Sequence, residues 1–351
     1  MVKLVFLDSN EQVTRKITSA LRMRYMSAFE LVSFTDPADA MAYIRQNRTD
    51  VFLADKEFTI DTERLPTRCG FAYLVDSPDV CEYNAQRAIC KYQSLDQLYA
   101  QIMDIYVERA EPVILRPDSN ENCRVIAFCS ASGGVGTSTV AAACAIHYAK
   151  YGEKTIYLNL EPFGSAELYF SGVSMKSLYD VILALKSNSP NLEIKFNNWV
   201  KQDKSGVYFF APARDIRHML NLDSKTIIRM LEILRNCGYQ NIILDMPFSL
   251  REDVLSIYRQ VNAVVLVGDG SAVSNQKTET LAAAIELVEQ KKEAPLYDRM
   301  YLLYNRFSSR TSKKVRTTLV QELGGFPVYR DGTTEQILEQ LSERNDFDKI
   351  S

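Results

Sequence analysis

The sequence is poor in the residues that build metal centres and disulfide frameworks. It has two histidines and seven cysteines in 351 residues, and no two cysteines are spaced as C-x-x-C. Zinc sites take Cys and His ligands in close pairs, and disulfide scaffolds occur in small secreted domains. These shortages argue against both kinds of protein. They predict reduced, mostly buried thiols in a cytoplasm.

Long hydrophobic runs and a strong charge imbalance are also missing. No apolar stretch approaches the ~20 residues of a membrane-spanning helix. The opening MVKLVFLDSN reaches an acidic residue after a short apolar run, unlike a secretory leader. The formal net charge is only −3, which argues against a whole-chain nucleic-acid binder. We therefore expect a cytoplasmic protein without a membrane anchor, in which any nucleic-acid contact would be a local basic patch.

What the sequence does contain is an alternation of short apolar strands and amphipathic helices, the pattern of a parallel α/β sheet covered on both faces. The pattern is interrupted at ERAEPVILRPDSNEN, residues 108–122, where charges and two prolines collect. A chain of 351 residues is long enough for two domains. The sequence predicts one α/β domain over residues 1–108, a linker over 109–122 and a larger α/β domain over 123–351.

The most informative segment is FCSASGGVGTSTVAAACAI, residues 128–146, in which a strand enters a glycine-rich turn and then an alanine-rich helix. Glycines let backbone N–H groups converge on anionic oxygens, and the helix N-terminus adds a partial positive charge. A hydroxyl at Ser138 suits Mg²⁺. The pattern predicts a phosphate-binding loop, and the alternative is a glycine turn without a ligand. The loop residues are Gly133, Gly134, Val135, Gly136, Thr137, Ser138 and Thr139.

This loop resembles KGGVGKST, the deviant Walker A sequence of the ParA/MinD superfamily of P-loop NTPases. The two lysines of that sequence fall here at Ser132 and Thr137. The superfamily's D-x-D pair, which positions the attacking water, falls at Asn159 and Glu161. The resemblance implies that ATP and Mg²⁺ bind. Because fixed positive charge supplies most of the acceleration in phosphoryl transfer, the altered positions leave enzymatic activity open and favour a pseudo-ATPase.

Other segments match further positions of the same superfamily. YQNIILDMP resembles the Walker B strand, which implies that Asp245 holds the magnesium together with Ser138. LLYNRF resembles the strand whose asparagine recognises adenine, which implies Asn305 as the base reader with Arg306 beside it. Pro327, in GGFPVYRDG, would then close over the base. A cation replacing the lysines could come from elsewhere, and Arg214 is one candidate.

About the first 105 residues resemble the receiver domain of two-component signalling, a flavodoxin-like parallel sheet. Asp8 ends the first strand, Asp55 the third and Lys91 the fifth. In receivers the third-strand aspartate accepts a phosphoryl group, the earlier acids hold Mg²⁺ and the lysine contacts the phosphate. Here the second acid is Ser9, and the loss of a carboxylate weakens a magnesium site. Two interpretations stay open: phosphorylation at Asp55, and the favoured one, a receiver fold kept as a docking module.

A degenerate receiver followed by a MinD-like domain with LNLEPFGSAELYF resembles the TadZ/CpaE proteins, localisation factors of Tad pilus assembly. The resemblance implies an ATP-binding homodimer at a cell pole, with Tad secretion proteins or a polar landmark as partners. The alternative is a slow ParA/MinD-type ATPase in DNA partition or cell-division positioning. DNA binding would use the basic segment 306–316, which we predict to be helical; a solvated helix face is its simpler interpretation, so we do not expect nucleic acid.

Overall fold

The chain folds into two compact units. The computed structural model describes all residues except 27, 110–122, 173–175, 188, 214–216, 221, 291, 293, 318, 331 and 351. One unit holds Met1–Leu115 with Pro190–Asn198, and the other holds Arg116–Ser189 with Trp199–Ser351. The linker predicted at 109–122 lies outside the described residues except for Arg109. Assignment of Pro190–Asn198 to the first unit was not predicted from the sequence.

The first unit is built on a six-stranded sheet. Its elements are β1 (Val2–Leu7), α1 (Glu11–Arg24), β2 (Phe29–Phe34), α2 (Pro37–Gln46), β3 (Val51–Asp55), β4 (Gly70–Val75), β5 (Glu82–Tyr83), β6 (Gln86–Cys90) and α3 (Leu95–Arg109). The strand order is β2-β1-β3-β4-β6-β5, and all neighbours are parallel except β5 with β6. The predicted parallel sheet is confirmed. The hairpin strand β5 was not foreseen.

Local sequence signals explain the ends of these elements. Asn10 caps α1 by accepting the backbone N–H of Val13 at 3.2 Å, and Asp36 caps α2 by accepting that of Ala38 at 2.7 Å. Such caps satisfy donors that the first helical turn leaves free. Side chains alternate along β1, so Leu4 and Phe6 pack with α1 and α3, whereas Val5 and Leu7 pack with α2 on the other face. Both faces of the sheet are therefore covered.

The second unit is built on an eight-stranded sheet with the order β14-β13-β12-β7-β11-β8-β10-β9. Only β9 runs antiparallel to its neighbour among the described strands. The strands are β7 (Arg124–Cys129), β8 (Thr155–Asn159), β9 (Lys201–Gln202), β10 (Tyr208–Phe209), β11 (Asn241–Asp245), β12 (Ala263–Gly268), β13 (Met300–Tyr304) and β14 (Gln321–Gly325). Strand β7 lies at the point where the connections reverse direction, and open α/β sheets bind ligands at the carboxyl ends beside such a point.

Among the described residues, eight helices follow β7 along the chain, and α6 belongs mostly to the first unit. They are α4 (Thr137–Lys150), α5 (Leu178–Lys186), α6 (Leu192–Trp199), α7 (Arg217–Leu220), α8 (Ser224–Asn236), α9 (Glu252–Tyr258), α10 (Ala272–Glu289) and α11 (Thr334–Ser342). Helix α4 is buried on all sides from Val140 to Tyr148, because it packs against both the sheet and α11. That position explains its alanines, which allow close approach. No described helix is long and apolar enough to cross a membrane.

The basic segment 306–316 does not form the predicted helix. It runs as turns and extended chain after β13. Ser312 donates its hydroxyl to the Asp269 carbonyl at 2.9 Å, and the carbonyl of Lys313 accepts from Asn275 at 2.7 Å. The backbone N–H of Lys313 also donates to the Gly270 carbonyl at 2.8 Å. These tertiary bonds hold the segment extended, so its cations do not share one helical face.

Candidate functional site

The glycine loop joins β7 to α4 in the conformation that the sequence predicts. Gly134 and Gly136 have φ angles of +79° and +87°, in the left-handed region that side chains disfavour. Gly136 is the N-cap of α4, and no side chain caps that helix. The first-turn N–H groups of α4 therefore remain available where the helix dipole is positive. This arrangement can receive an anion.

Two residues from the end of β13 contact the loop. Asn305 is 4% exposed and donates its Nδ2 to the carbonyl of Val135 at 2.8 Å. Arg306 donates to the carbonyl of Gly134 at 3.2 Å. One N–H of the Asn305 amide is thus engaged with the loop, and its second N–H and its carbonyl oxygen remain for a base. Its role as adenine reader stays a prediction.

Pro327 lies at the same edge of the sheet. The backbone N–H of Phe307 donates to the carbonyl of Phe326 at 2.8 Å, which ties the chain after Arg306 to the chain before Pro327. Pro327 itself is exposed. This position is compatible with a residue that covers a bound base, and that role also stays a prediction.

Asp245 ends β11 in a buried setting. It is 1% exposed, and its Oδ2 accepts hydrogen bonds from Tyr157 at 2.8 Å and from Asn159 at 2.9 Å. Its Oδ1 is buried and has no hydrogen-bond partner in the described structure. Burial raises the pKa of Asp245 to about 6, although the hydroxyl of Ser138 opposes that shift. A buried carboxylate oxygen without a partner beside a hydroxyl is a suitable place for a hard cation.

Asn159 and Glu161, which the sequence resemblance matches to the D-x-D pair, lie at the end of β8 and just after it. Asn159 donates its amide to Asp245, and its Oδ1 accepts the backbone N–H of Glu161 at 3.2 Å. Its hydrogen-bonding groups are therefore used internally. Burial raises the pKa of Glu161, with a smaller opposing effect from the Ser138 hydroxyl. Asn159 has no carboxylate and cannot act as a general base, whereas the raised pKa makes the Glu161 carboxylate a stronger base than usual.

Sequence reasoning missed Tyr157 in this network. Tyr157 and Asn159 are two residues apart on β8, so their side chains lie on the same face of the sheet. β8 pairs directly with β11, and Asn159 is opposite Asp245 in the register. The period-2 spacing was present in the sequence. Only the pairing of β8 with β11 showed that the hydroxyl reaches Asp245.

Ser132 and Thr137, at the two positions that match the lysines of the deviant Walker A sequence, carry no charge. Ser132 is 9% exposed, and its hydroxyl is buried without a hydrogen-bond partner in the described part of the chain. Thr137 begins α4 and is half-buried. Arg306 supplies a positive charge at the loop. Arg214 falls outside the described residues.

The residues present fit a magnesium nucleotide. Mg²⁺ prefers oxygen ligands and commonly uses one or two protein oxygens together with phosphates and water. Asp245 Oδ1, buried and without a partner, and the Ser138 hydroxyl provide such protein oxygens. The glycine loop and the first turn of α4 provide N–H donors for phosphates. Bound Mg²⁺ would supply the positive charge that the missing lysines do not.

The first unit brings its three predicted residues together in a separate acidic site. Lys91 Nζ lies 2.5 Å from Asp55 Oδ2 and 3.5 Å from Asp8 Oδ2. It also lies 3.4 Å from Asp76, which follows β4 and was not predicted. Asp76 contacts Lys56 as well. The sequence did show an acid at this position, but the receiver pattern expects a hydroxyl there.

Lys91 neutralises part of the charge of this acidic site. Burial favours the neutral amine of Lys91, but its hydrogen bond to Asp55 and the surrounding carboxylates outweigh burial and raise its pKa. Ser9, which replaces an acid, donates to Glu57 at 2.8 Å. Asp55 is 1% exposed and bound to Lys91, so a phosphoryl donor would have to displace that contact. Phosphorylation of Asp55 remains an untested prediction.

Comparison with known proteins identifies the architecture of both units. Residues 1–107 match the family model described as "TadZ-like, receiver domain". The ParA family ATPase from Chlorobium tepidum TLS has a similar fold, with a TM-score of 0.52 and 19% identity. That similarity covers 65% of this chain and 96% of the other.

Sequence relatives point to the same superfamily. The septum site-determining protein MinD of Buchnera aphidicola subsp. Baizongia pistaciae is 32% identical over 41% of this chain and 52% of its own length. MinD of Buchnera aphidicola subsp. Schizaphis graminum is 25% identical over 54% of this chain and 70% of its own length. This chain thus spans about half of the first relative. The predicted architecture, a receiver-like domain before a ParA/MinD-type domain, is confirmed.

Proposed function

We propose that this chain, which joins a TadZ-like receiver domain to a ParA/MinD-type ATPase fold, is an ATP-binding positioning protein of Tad pilus assembly with weak or no ATP hydrolysis. One observation carries the proposal. The glycine loop, Ser138 and Asp245, which would bind phosphate and metal, are present, while the positions that would accelerate hydrolysis hold Ser132, Thr137 and Asn159. Such a protein uses the nucleotide to stabilise a state more than as fuel.

Binding would use the backbone of the glycine loop. Its N–H groups and those of the first turn of α4 receive the phosphates. Ser138 and Asp245 hold Mg²⁺, and the metal would neutralise phosphate charge. Asp245 must be ionised for this role, and its pKa of about 6 allows that at neutral pH.

Calorimetry tests binding. We expect Mg·ATP to bind the wild type at millimolar concentrations or below, and no heat of binding under those conditions would contradict the proposal. Gly136→Ala should abolish binding. Its φ is +87°, and an added Cβ would lie 2.4 Å from Asn305 Nδ2. Gly152→Ala is a matched control, because that glycine also has a positive φ but follows the far end of α4.

Turnover measurements test the pseudo-ATPase assignment. Phosphoryl transfer depends on fixed positive charge at the γ-phosphate, and one such cation is worth roughly 10³ to 10⁵ in rate. Asn159 cannot take a proton from water and is already bonded to Asp245. We expect hydrolysis well below the ordinary enzymatic range of about 1 to 10³ per second. A rate within that range would refute this part of the proposal.

Assembly and location extend the same proposal. We propose a two-fold homodimer through the second units, cytoplasmic and held at a cell pole by a landmark or by Tad secretion proteins. A nucleotide that binds only the dimer would stabilise it by mass action. Sedimentation well above micromolar concentration, with and without Mg·ATP, tests this. A monomer under both conditions would remove the dimer.

A slow ParA/MinD-type ATPase of DNA partition or cell division is the second candidate, favoured by the similarity to MinD sequences. DNA binding would depend on the cations of segment 306–316. Lys314 there is paired with Glu322 at 2.6 Å, which reduces the free charge. Salt-dependent DNA binding separates this candidate from ours, because phosphate contacts weaken steeply as salt rises. Strong binding lost at higher salt would favour the partition function.

A further inference from the structure

Two consecutive side chains hold two consecutive carbonyls of the glycine loop. Asn305 binds the carbonyl of Val135, and Arg306 binds that of Gly134. Strand residues normally point alternately to opposite faces, so neighbours do not reach the same target. Arg306 breaks that alternation, because its φ is +56° in the left-handed region. A non-glycine residue there is strained, and the surrounding structure must offset that strain.

These contacts also fix the direction of two backbone N–H groups of the loop. The described peptide bonds are all trans, and a trans peptide directs its C=O and N–H to opposite sides. The carbonyl of Gly134 shares a peptide with the N–H of Val135, and the carbonyl of Val135 shares one with the N–H of Gly136. Both N–H groups therefore point away from Asn305 and Arg306. No hydrogen bond among the described residues uses them.

We propose that Asn305 and Arg306 are positioning residues that hold the glycine loop in its anion-binding conformation. This inference rests on the proposed nucleotide binding. It assigns Asn305 to phosphate binding through the loop, because one N–H of its Nδ2 is held by the carbonyl of Val135. The site then accepts a magnesium polyphosphate with or without an attached base.

The test compares probes with and without a base. Asn305→Ala removes one clamp. Arg306→Gly removes the other while keeping a residue that tolerates φ of +56°. Affinities are measured for Mg·tripolyphosphate, Mg·ATP and Mg·GTP. We expect each variant to lose at least about 10-fold in affinity for all three ligands, because the phosphates that they share would bind the loop that these side chains hold.

A matched control and a ligand-free readout complete the test. Arg310→Gln removes an exposed cation from the same segment and should leave all three affinities unchanged. Hydrogen exchange of amides 133–137 in the free protein should accelerate in both clamp variants, while exchange in Val140–Tyr148 stays slow because that stretch is buried. Arg306→Gly should not lower the melting temperature, since it also removes backbone strain.

Contrary outcomes are distinct. Loss of ATP affinity with unchanged tripolyphosphate affinity would show that Asn305 reads the base and would overturn the clamp. Unchanged loop exchange in both variants would overturn it as well. If the wild type binds none of the probes, the proposed function fails, and the exchange data alone decide whether the loop is held by these residues.

Discussion

The acidic site of the first unit and the glycine loop of the second both lie at the carboxyl ends of parallel strands, yet they balance charge in opposite ways. Lys91 contacts three carboxylates in the first site. In the second, Asp245 keeps a buried oxygen without a hydrogen bond among the described residues. A carboxylate paired with an internal lysine offers a ligand little. A buried unpaired oxygen costs free energy until something binds it.

This difference indicates which site is open to a ligand. The first unit carries Lys91 among its carboxylates, whereas the second has Arg306 at the loop and would obtain further positive charge from a bound metal. Receiver-like topology therefore does not by itself predict metal-dependent phosphorylation, and the absence of both lysines leaves the backbone donors and oxygens of the proposed nucleotide site in place. The following substitutions test that contrast.

Lys91→Met should have the largest effect. It would leave Asp8 and Asp55 buried without their counter-ion, and removal of one partner from a buried pair costs about 3 to 5 kcal/mol. We expect a value near the low end, because Asp76 is 45% exposed. Chemical denaturation of the first unit measures it. Lys56→Met is the control and should cost much less stability than Lys91→Met, since Lys56 and Asp76 form a solvent-exposed pair. Equal losses of stability in the two variants would contradict the role of Lys91 as the counter-ion of the buried carboxylates.

Asp245→Asn should stabilise the second unit at neutral pH while abolishing magnesium-dependent binding. A carboxyl whose pKa is raised in the folded protein destabilises the folded state as the pH rises from the unfolded-state pKa through about 6. The gain in free energy of unfolding from Asp245→Asn should therefore be complete above that pH range, up to about 3 kcal/mol, and should vanish below about pH 4. Urea unfolding followed by the sole tryptophan, Trp199, measures it. A gain that does not change with pH would contradict the assigned cause.

Thr137→Lys should tighten Mg·ATP binding by about 10- to 100-fold, since a charge-assisted hydrogen bond is worth about 1.5 to 3 kcal/mol. Turnover should stay low because Asn159 is unchanged. Thr137→Met, similar in length but neutral, should not tighten binding. If Met and Lys behave alike in calorimetry, charge is not what the loop lacks.

Tyr157→Phe should have the smallest effect. It removes one hydrogen bond to Asp245 Oδ2 and should cost about 1 kcal/mol at neutral pH. The pKa of Asp245 should rise further, because that bond favours the charged form. As the pH is lowered, Mg·ATP binding should therefore begin to weaken at a higher pH in the variant than in the wild type. Identical pH profiles would show that Tyr157 does not tune the carboxylate.

Much of the fold was readable from local pattern. The strands entering Asp8, Asp55 and Asp245 are continuous apolar runs, and the glycines before α4 announced the loop. These features depend on neighbouring residues, so a single sequence shows them. The helix predicted for segment 306–316 was wrong for the opposite reason. Its extended form depends on bonds to Asp269, Gly270 and Asn275, about 40 residues earlier.

The sequence by itself determined the two α/β units, the glycine loop before α4 and the lack of a lysine at positions 132 and 137, since each follows from residue type and spacing. Tertiary structure decided which hydrogen bonds the polar side chains of the site make. Strand order placed Asn159 beside Asp245 and Asn305 behind Val135. Hydrogen bonds are short and directional, so which donor reaches which acceptor is fixed only when strands distant in sequence pair.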